Sequence, residues 1–171
     1  MMVFVTGLSR SGKSTAIEAC GYRDMGFNYR RGSDILRDRG LPTADLTPAQ
    51  SLRNQEEIVR ALLSEQRFQC GATIFDGHLM IETTEGPQLV PQRPLEQLGI
   101  AAVINVFANA DIVAERRGDP SIYAADISLL EEIETVCATQ LARRTGSRLE
   151  RVDSEDLKHL SVIFGEITSL R

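Results

Sequence analysis

The run Val3-Phe4-Val5-Thr6-Gly7-Leu8-Ser9-Arg10-Ser11-Gly12-Lys13-Ser14-Thr15 restricts the possible folds more than any other stretch, because it joins an apolar strand to a helix through a glycine-bounded turn. Gly7 and Gly12 stand at the spacing G-x-x-x-x-G-K-[ST], where glycine lets successive backbone N–H groups converge on one anion. Gly7, Ser9, Arg10, Ser11, Gly12, Lys13, Ser14 and Thr15 are therefore the expected cradle for the phosphates of ATP. Lys13 is the flexible point charge for the β- and γ-phosphates and the first candidate catalytic residue. The Ser14 hydroxyl is a candidate ligand for Mg²⁺, and the start of the following helix adds partial positive charge.

With 171 residues the chain suits one domain with a sizeable core. A hydrophobic fraction of 42% and a charged fraction of 25% are ordinary for a globular protein, and no apolar run is long enough to span a bilayer. A net charge of −5 argues against broad binding to nucleic acid or anionic membrane, while small anionic ligands stay allowed. Cys20, Cys70 and Cys137 form no C-x-x-C pair and read as reduced, buried thiols without structural zinc. With a first strand so close to Met1, no signal peptide is expected and the expected compartment is the cytoplasm.

Val3–Val5, Ala72–Phe75 and Ala101–Phe107 are near-continuous apolar runs, the pattern of strands covered on both faces. Phe27–Arg30 and Arg148–Val152 carry polar residues throughout and read as peripheral strands. Thr47 and Pro48 open a helix to about Phe68, with Leu52, Val59, Leu62 and Leu63 on its apolar side. Further helices are expected from Ile127 through Leu130, Ile133, Val136, Cys137 and Leu141, and over Leu157, Leu160, Ile163, Phe164, Ile167 and Leu170. The alternation predicts an α/β fold with a parallel sheet of about five strands and right-handed crossovers. His78 to Pro94 reads as a hairpin or loop, and Arg116 to Asp126 has no apolar periodicity.

Asp76 closes an apolar strand, where a P-loop protein presents a carboxylate to its Mg²⁺. It is both a candidate metal ligand and a candidate catalytic residue. His78 falls two residues later, on the same side if the strand continues. Ser33, Asp34 and Arg37 form a capped turn whose arginine is a candidate clamp for an acceptor's phosphate, although Arg30, Arg31 and Arg39 crowd the same region. Arg116 and Arg117 end a helix from about Ala110 and are candidates for neutralising charge on the moving phosphoryl, besides suiting the helix dipole. Asp153 and Ser154 end the last strand, at the corner expected beside the base of ATP.

With the phosphate loop, Ser33-Asp34-Ile35-Leu36-Arg37 and Ile74-Phe75-Asp76-Gly77-His78 in view, the chain resembles the small P-loop kinases of nucleoside-monophosphate type. Among these it is similar to archaeal-type adenylate kinases and their eukaryotic nuclear relatives. The resemblance implies the P-loop NTPase three-layer fold, with a five-stranded parallel sheet in order 2-3-1-4-5 and helices on both faces. It implies one domain over 1–171, a substrate segment at about 32–70 and a short lid at about 116–126. Ser33, Asp34, Arg37 and His78 take acceptor-side places, with AMP the first acceptor to try. The departure lies in the lid, where Pro120-Ser121-Ile122-Tyr123-Ala124-Ala125 supplies no arginine beyond Arg116 and Arg117.

The expected partners are ATP and a small phosphorylated acceptor, with no membrane or nucleic acid and no protein partner indicated. Two other readings stay open. One is a kinase of a hydroxyl acceptor, in which Asp76 serves as base. The other is a slow ATPase acting as a nucleotide-dependent switch or assembly factor.

Overall fold

A computed structural model describes residues 1–68, 71–118 and 124–169. Cys70, the span from Pro120 to Tyr123 within the expected lid, and Leu170 lie outside the described residues. The chain begins with β1 (Met2–Thr6) and α1 (Lys13–Ala19), then β2 (Phe27–Arg31), α2 (Gly32–Asp38) and α3 (Pro48–Gln66). Next come β3 (Ala72–Asp76), the hairpin of β4 (Met80–Thr83) and β5 (Gly86–Leu89), and the short α4 (Gln92–Leu95) with a 3₁₀ turn over Glu96–Leu98. It ends with β6 (Ile100–Phe107), α5 (Ala110–Arg117), α6 (Ala124–Thr145), β7 (Arg148–Asp153) and α7 (Leu157–Ser169).

The main sheet is parallel and runs β2-β3-β1-β6-β7. Leaving out the hairpin, this is the expected order 2-3-1-4-5 of a P-loop kinase fold, with the two polar strands at the edges. Side chains alternate across the sheet, so Met2, Phe4, Phe75 and Val103 meet α2, α3 and α6 on one face. Val3, Val5, Ile74 and Ile104 meet α1 and α7 on the other. Three layers follow from that alternation.

Thr47 caps α3 as its sequence suggests: its hydroxyl accepts from Gln50 N while the Gln50 side chain accepts from Thr47 N, and Pro48 opens the helix. The buried line of α3 is Ser51, Asn54, Ile58, Val59, Ala61 and Leu62. Leu52 stands about 100° round from Ser51 and is exposed, against expectation. The same displacement leaves Val136 exposed beside the buried Cys137, and Leu157 precedes the buried stripe of α7. Cys20 and Cys137 are buried free thiols, each pushed up by desolvation. Among the described residues no helix is long and apolar enough to cross a membrane.

Candidate active site

The turn between β1 and α1 takes its shape from its glycines. Gly7 has φ +146°, and a Cβ there would overlap the Val106 carbonyl oxygen, so no larger residue fits. Gly12 has φ +94°, with Arg116 Nη1 and the Ser154 Cβ only 3.2 and 3.3 Å from where its Cβ would stand. Between them Arg10 adopts a left-handed conformation at φ +69° without being glycine, and Ser11 N donates to Leu8 O at 3.2 Å.

Lys13 is buried and curls into this loop, donating from Nζ to Gly7 O at 2.8 Å and Leu8 O at 2.9 Å. Burial lowers its pKa, while the charges of Asp76 and Glu134 hold it up. Ser14 Oγ donates to Asp76 Oδ2 at 2.6 Å, and Tyr29 Oη donates to the same oxygen at 2.7 Å. Arg31 Nε lies 3.8 Å from that oxygen. Burial and the Asp76 charge both push the Tyr29 hydroxyl upward, so it stays a donor. Ser14 and Asp76 thus offer two hard oxygens side by side, a donor set that suits Mg²⁺ with its remaining positions filled by water and phosphate.

His78 does not continue the line of β3. A Cβ on Gly77 would come within 2.8 Å of Phe75 Cζ and 3.0 Å of Phe4 Cε2, so the backbone packs closely there and the strand ends at Asp76. His78 Nδ1 lies 2.7 Å from Gly7 O and 3.4 Å from Lys13 Nζ. The carbonyl contact assigns the proton to Nδ1. Burial and the neighbouring Lys13 lower the His78 pKa to about 4, so the ring is neutral near pH 7.

One cavity of about 810 Å³ spans the phosphate loop and the space below α2 and α3. Of the residues expected on the phosphate side, Ser9, Arg10, Gly12, Lys13, Ser14 and Thr15 line it; Gly7 and Ser11 support the loop from behind. Asp76, His78, Ser33, Arg116 and Ser154 also line it. Four expected residues do not. Arg37 pairs with Asp34 one turn earlier on the exposed face of α2, because the buried side of that helix is taken by Ile35 and Leu36. Arg117 is nearly buried and pairs with Glu82 of β4 at 2.6 Å, its Nε and Nη2 without partners among the described residues. Asp153 accepts from Glu155 N at 2.9 Å and shapes the turn into α7.

Three residues enter the site that sequence reasoning missed. Arg31 lines the cavity because the β2–β3 register sets it opposite Asp76. Tyr29, two residues earlier, orients the carboxylate. Glu134 is fully buried, and its Oε1 accepts from Gly7 N at 3.1 Å, from Leu79 N at 2.9 Å and from the Thr6 hydroxyl. Its signal was a lone carboxylate on the apolar stripe of α6, one turn from Leu130 and from Cys137.

Glu131, one turn before it, has its pKa pushed up to about 7, chiefly by burial, with Glu134 adding and Arg151 opposing. The unfolded chain releases that proton near 4.5. This carboxyl therefore contributes stability in full below about pH 4.5, and the contribution is lost as pH rises through about 7. Glu131→Gln is expected to flatten the fall in urea midpoint between about pH 5 and pH 8; an unchanged slope would remove the assignment.

A family model described as an AAA domain matches residues 6–134. Among solved structures, a shikimate kinase from Aquifex aeolicus is 15% identical, covering 99% of this chain and 99% of its own, with a TM-score of 0.63. YorR from Bacillus subtilis, solved in complex with phosphorylated GDP, is 13% identical over 99% of this chain and 96% of its own, with a TM-score of 0.60. A gluconokinase from Sinorhizobium meliloti is 14% identical over 99% and 91%, with a TM-score of 0.53. At such identities the likeness is one of fold. No curated protein sequence matches the chain.

Proposed function

The chain belongs to the AAA domain family, and from that premise we propose that it is an ATP-dependent phosphotransferase acting on a small molecule, with a nucleoside monophosphate as acceptor and AMP the first to try. The observation that carries this reading is the single cavity in which the phosphate loop faces a second compartment across the Ser14–Asp76 pair. A donor phosphate on the loop and an acceptor under α2 and α3 would meet there.

The second compartment supports a nucleotide acceptor. Leu36, Leu46, Ile58, Phe75 and Ile81 give it apolar walls suited to a flat ring, and Arg31 supplies a cation at its inner end. The phosphate clamp first sought in Arg37 passes to Arg31, whose fork can face a phosphate while still leaning on Tyr29. In this reading Lys13 leaves its two carbonyls for the phosphates, neutral His78 holds Gly7 O, and Arg116 covers the loop from the side of Gly12. Mg²⁺ held by Ser14 and Asp76 would neutralise charge on the phosphates. The acceptor oxygen of a monophosphate is already anionic, so no base is required.

The second reading, a hydroxyl acceptor, is favoured by the turning away of Arg37 and by the shikimate kinase and gluconokinase among the structural neighbours. Asp76→Asn separates the two. For a monophosphate kinase the variant should need roughly ten-fold more Mg²⁺ for half-maximal rate, with an unchanged pH profile. Loss of rate and of its pH dependence at an unchanged Mg²⁺ requirement would make Asp76 a base and the acceptor a hydroxyl. The direct test is Mg·ATP with a panel of monophosphates, nucleosides and a blank, following ADP and phosphorylated acceptor together. ADP release matched by no acceptor, yet stimulated by a macromolecule, would favour the switch.

A further inference from the structure

Resting on the monophosphate reading, we infer that Asn54 selects the acceptor's base, favouring one with an exocyclic amino group over one with a carbonyl at the same position. Asn54 is 2% exposed, yet its side chain helps to line the acceptor compartment. A buried amide is costly unless both its ends are satisfied. Nδ2 is satisfied by donating to Pro42 O at 2.8 Å, and Oδ1, which is not among the fully buried atoms left without a partner, is reached from the cavity. Pro42 O is an acceptor only, so this contact assigns the nitrogen to that side and leaves Oδ1 toward the cavity. Among the described residues no donor reaches Oδ1.

The compartment therefore presents a fixed acceptor between apolar walls, with Ile58 one turn further along α3 and Leu46 just before that helix. An amino group facing it gains a hydrogen bond. A carbonyl facing it puts two acceptors together, which costs more than merely losing the bond. Neighbouring Gln55 also lines the cavity, and its amide has no partner among the described residues. Being free to turn, it can either donate or accept, so it serves a ring nitrogen without discriminating. Asn54 cannot turn without abandoning Pro42. The chemical class selected is a 6-aminopurine monophosphate over its 6-oxo counterpart.

The rival account makes Asn54 only an anchor for the segment that contains Pro42. The readout that separates them is the ratio of kcat/KM for AMP to that for IMP, with purine riboside monophosphate, which carries no 6-substituent, as a third acceptor. The native enzyme is expected to prefer AMP to IMP by about 100-fold, with the unsubstituted purine between. Asn54→Ala should bring the ratio close to one, while Asn54→Asp, which keeps an acceptor oxygen, should retain a preference for AMP. A mere anchor would slow both acceptors alike and leave the ratio where it was, which overturns the inference. Should Asn54→Ala fail to fold, Asn54→Ser, whose shorter side chain cannot reach the base, is read in the same way, and an AMP to IMP ratio unchanged from the native one overturns the inference. Equal turnover of AMP and IMP defeats this inference but spares the monophosphate reading; turnover of no monophosphate at all defeats both.

Discussion

Lys13→Ala is expected to lower ATP-dependent transfer by about a thousand-fold in kcat/KM while leaving the protein folded. The lysine is the only amine that the phosphate loop holds at its centre, and it is kept there by two backbone carbonyls rather than by a carboxylate. Those contacts are weak competitors for a triphosphate, so the charge is free to transfer to the donor when ATP arrives. Burial lowers its pKa, and the charges of Asp76 and Glu134 oppose that fall. Its loss to folding is small, because His78 still reaches Gly7 O. ADP formation and a thermal scan on the same preparation test both halves. Activity within ten-fold of the native protein, with an unchanged melting temperature, would mean that this loop is not where transfer occurs.

The second large effect is on stability. Glu134→Ala leaves Gly7 N, Leu79 N and the Thr6 hydroxyl without their common acceptor in a site closed to water. At about 1–3 kcal/mol for each buried donor left unpaired, with part of the loss recovered by relaxation, the expected destabilisation is about 4 kcal/mol. For a chain of this size that is a fall of about 12 °C in Tm. Glu134→Gln keeps an oxygen for the same three donors and should recover most of the loss. Equal destabilisation by Ala and Gln would show that the negative charge, and not the hydrogen bonds, is what the site requires.

Much of this architecture could be read from the sequence where the determinant is local. Continuous apolar runs marked β1, β3 and β6 as central, and polar ones put β2 and β7 at the edges. Thr47 and Pro48 announced the start of α3 because capping involves residues only three apart. The phosphate loop was legible for the same reason. The choice among Arg30, Arg31, Arg37 and Arg39 was not, since it depends on the pairing of β2 with β3, a contact between segments over forty residues apart. Extending β3 through His78 failed because close packing of Gly77 against Phe4 and Phe75 involves two strands at once. The role of Glu134 was not legible either, because it depends on donors from β1, the phosphate loop and the turn after β3 converging on one residue of α6.

The position of β1 at the middle of the sheet has a consequence for the order in which the protein is made. Both strands that flank it, β3 and β6, lie far downstream, and Gly7 rests against the Val106 carbonyl at the end of β6. On the ribosome the phosphate loop emerges ahead of both walls, with β3 about sixty residues and the end of β6 about a hundred residues behind it. It must wait, unformed and unable to grip a nucleotide, until β6 has been synthesised.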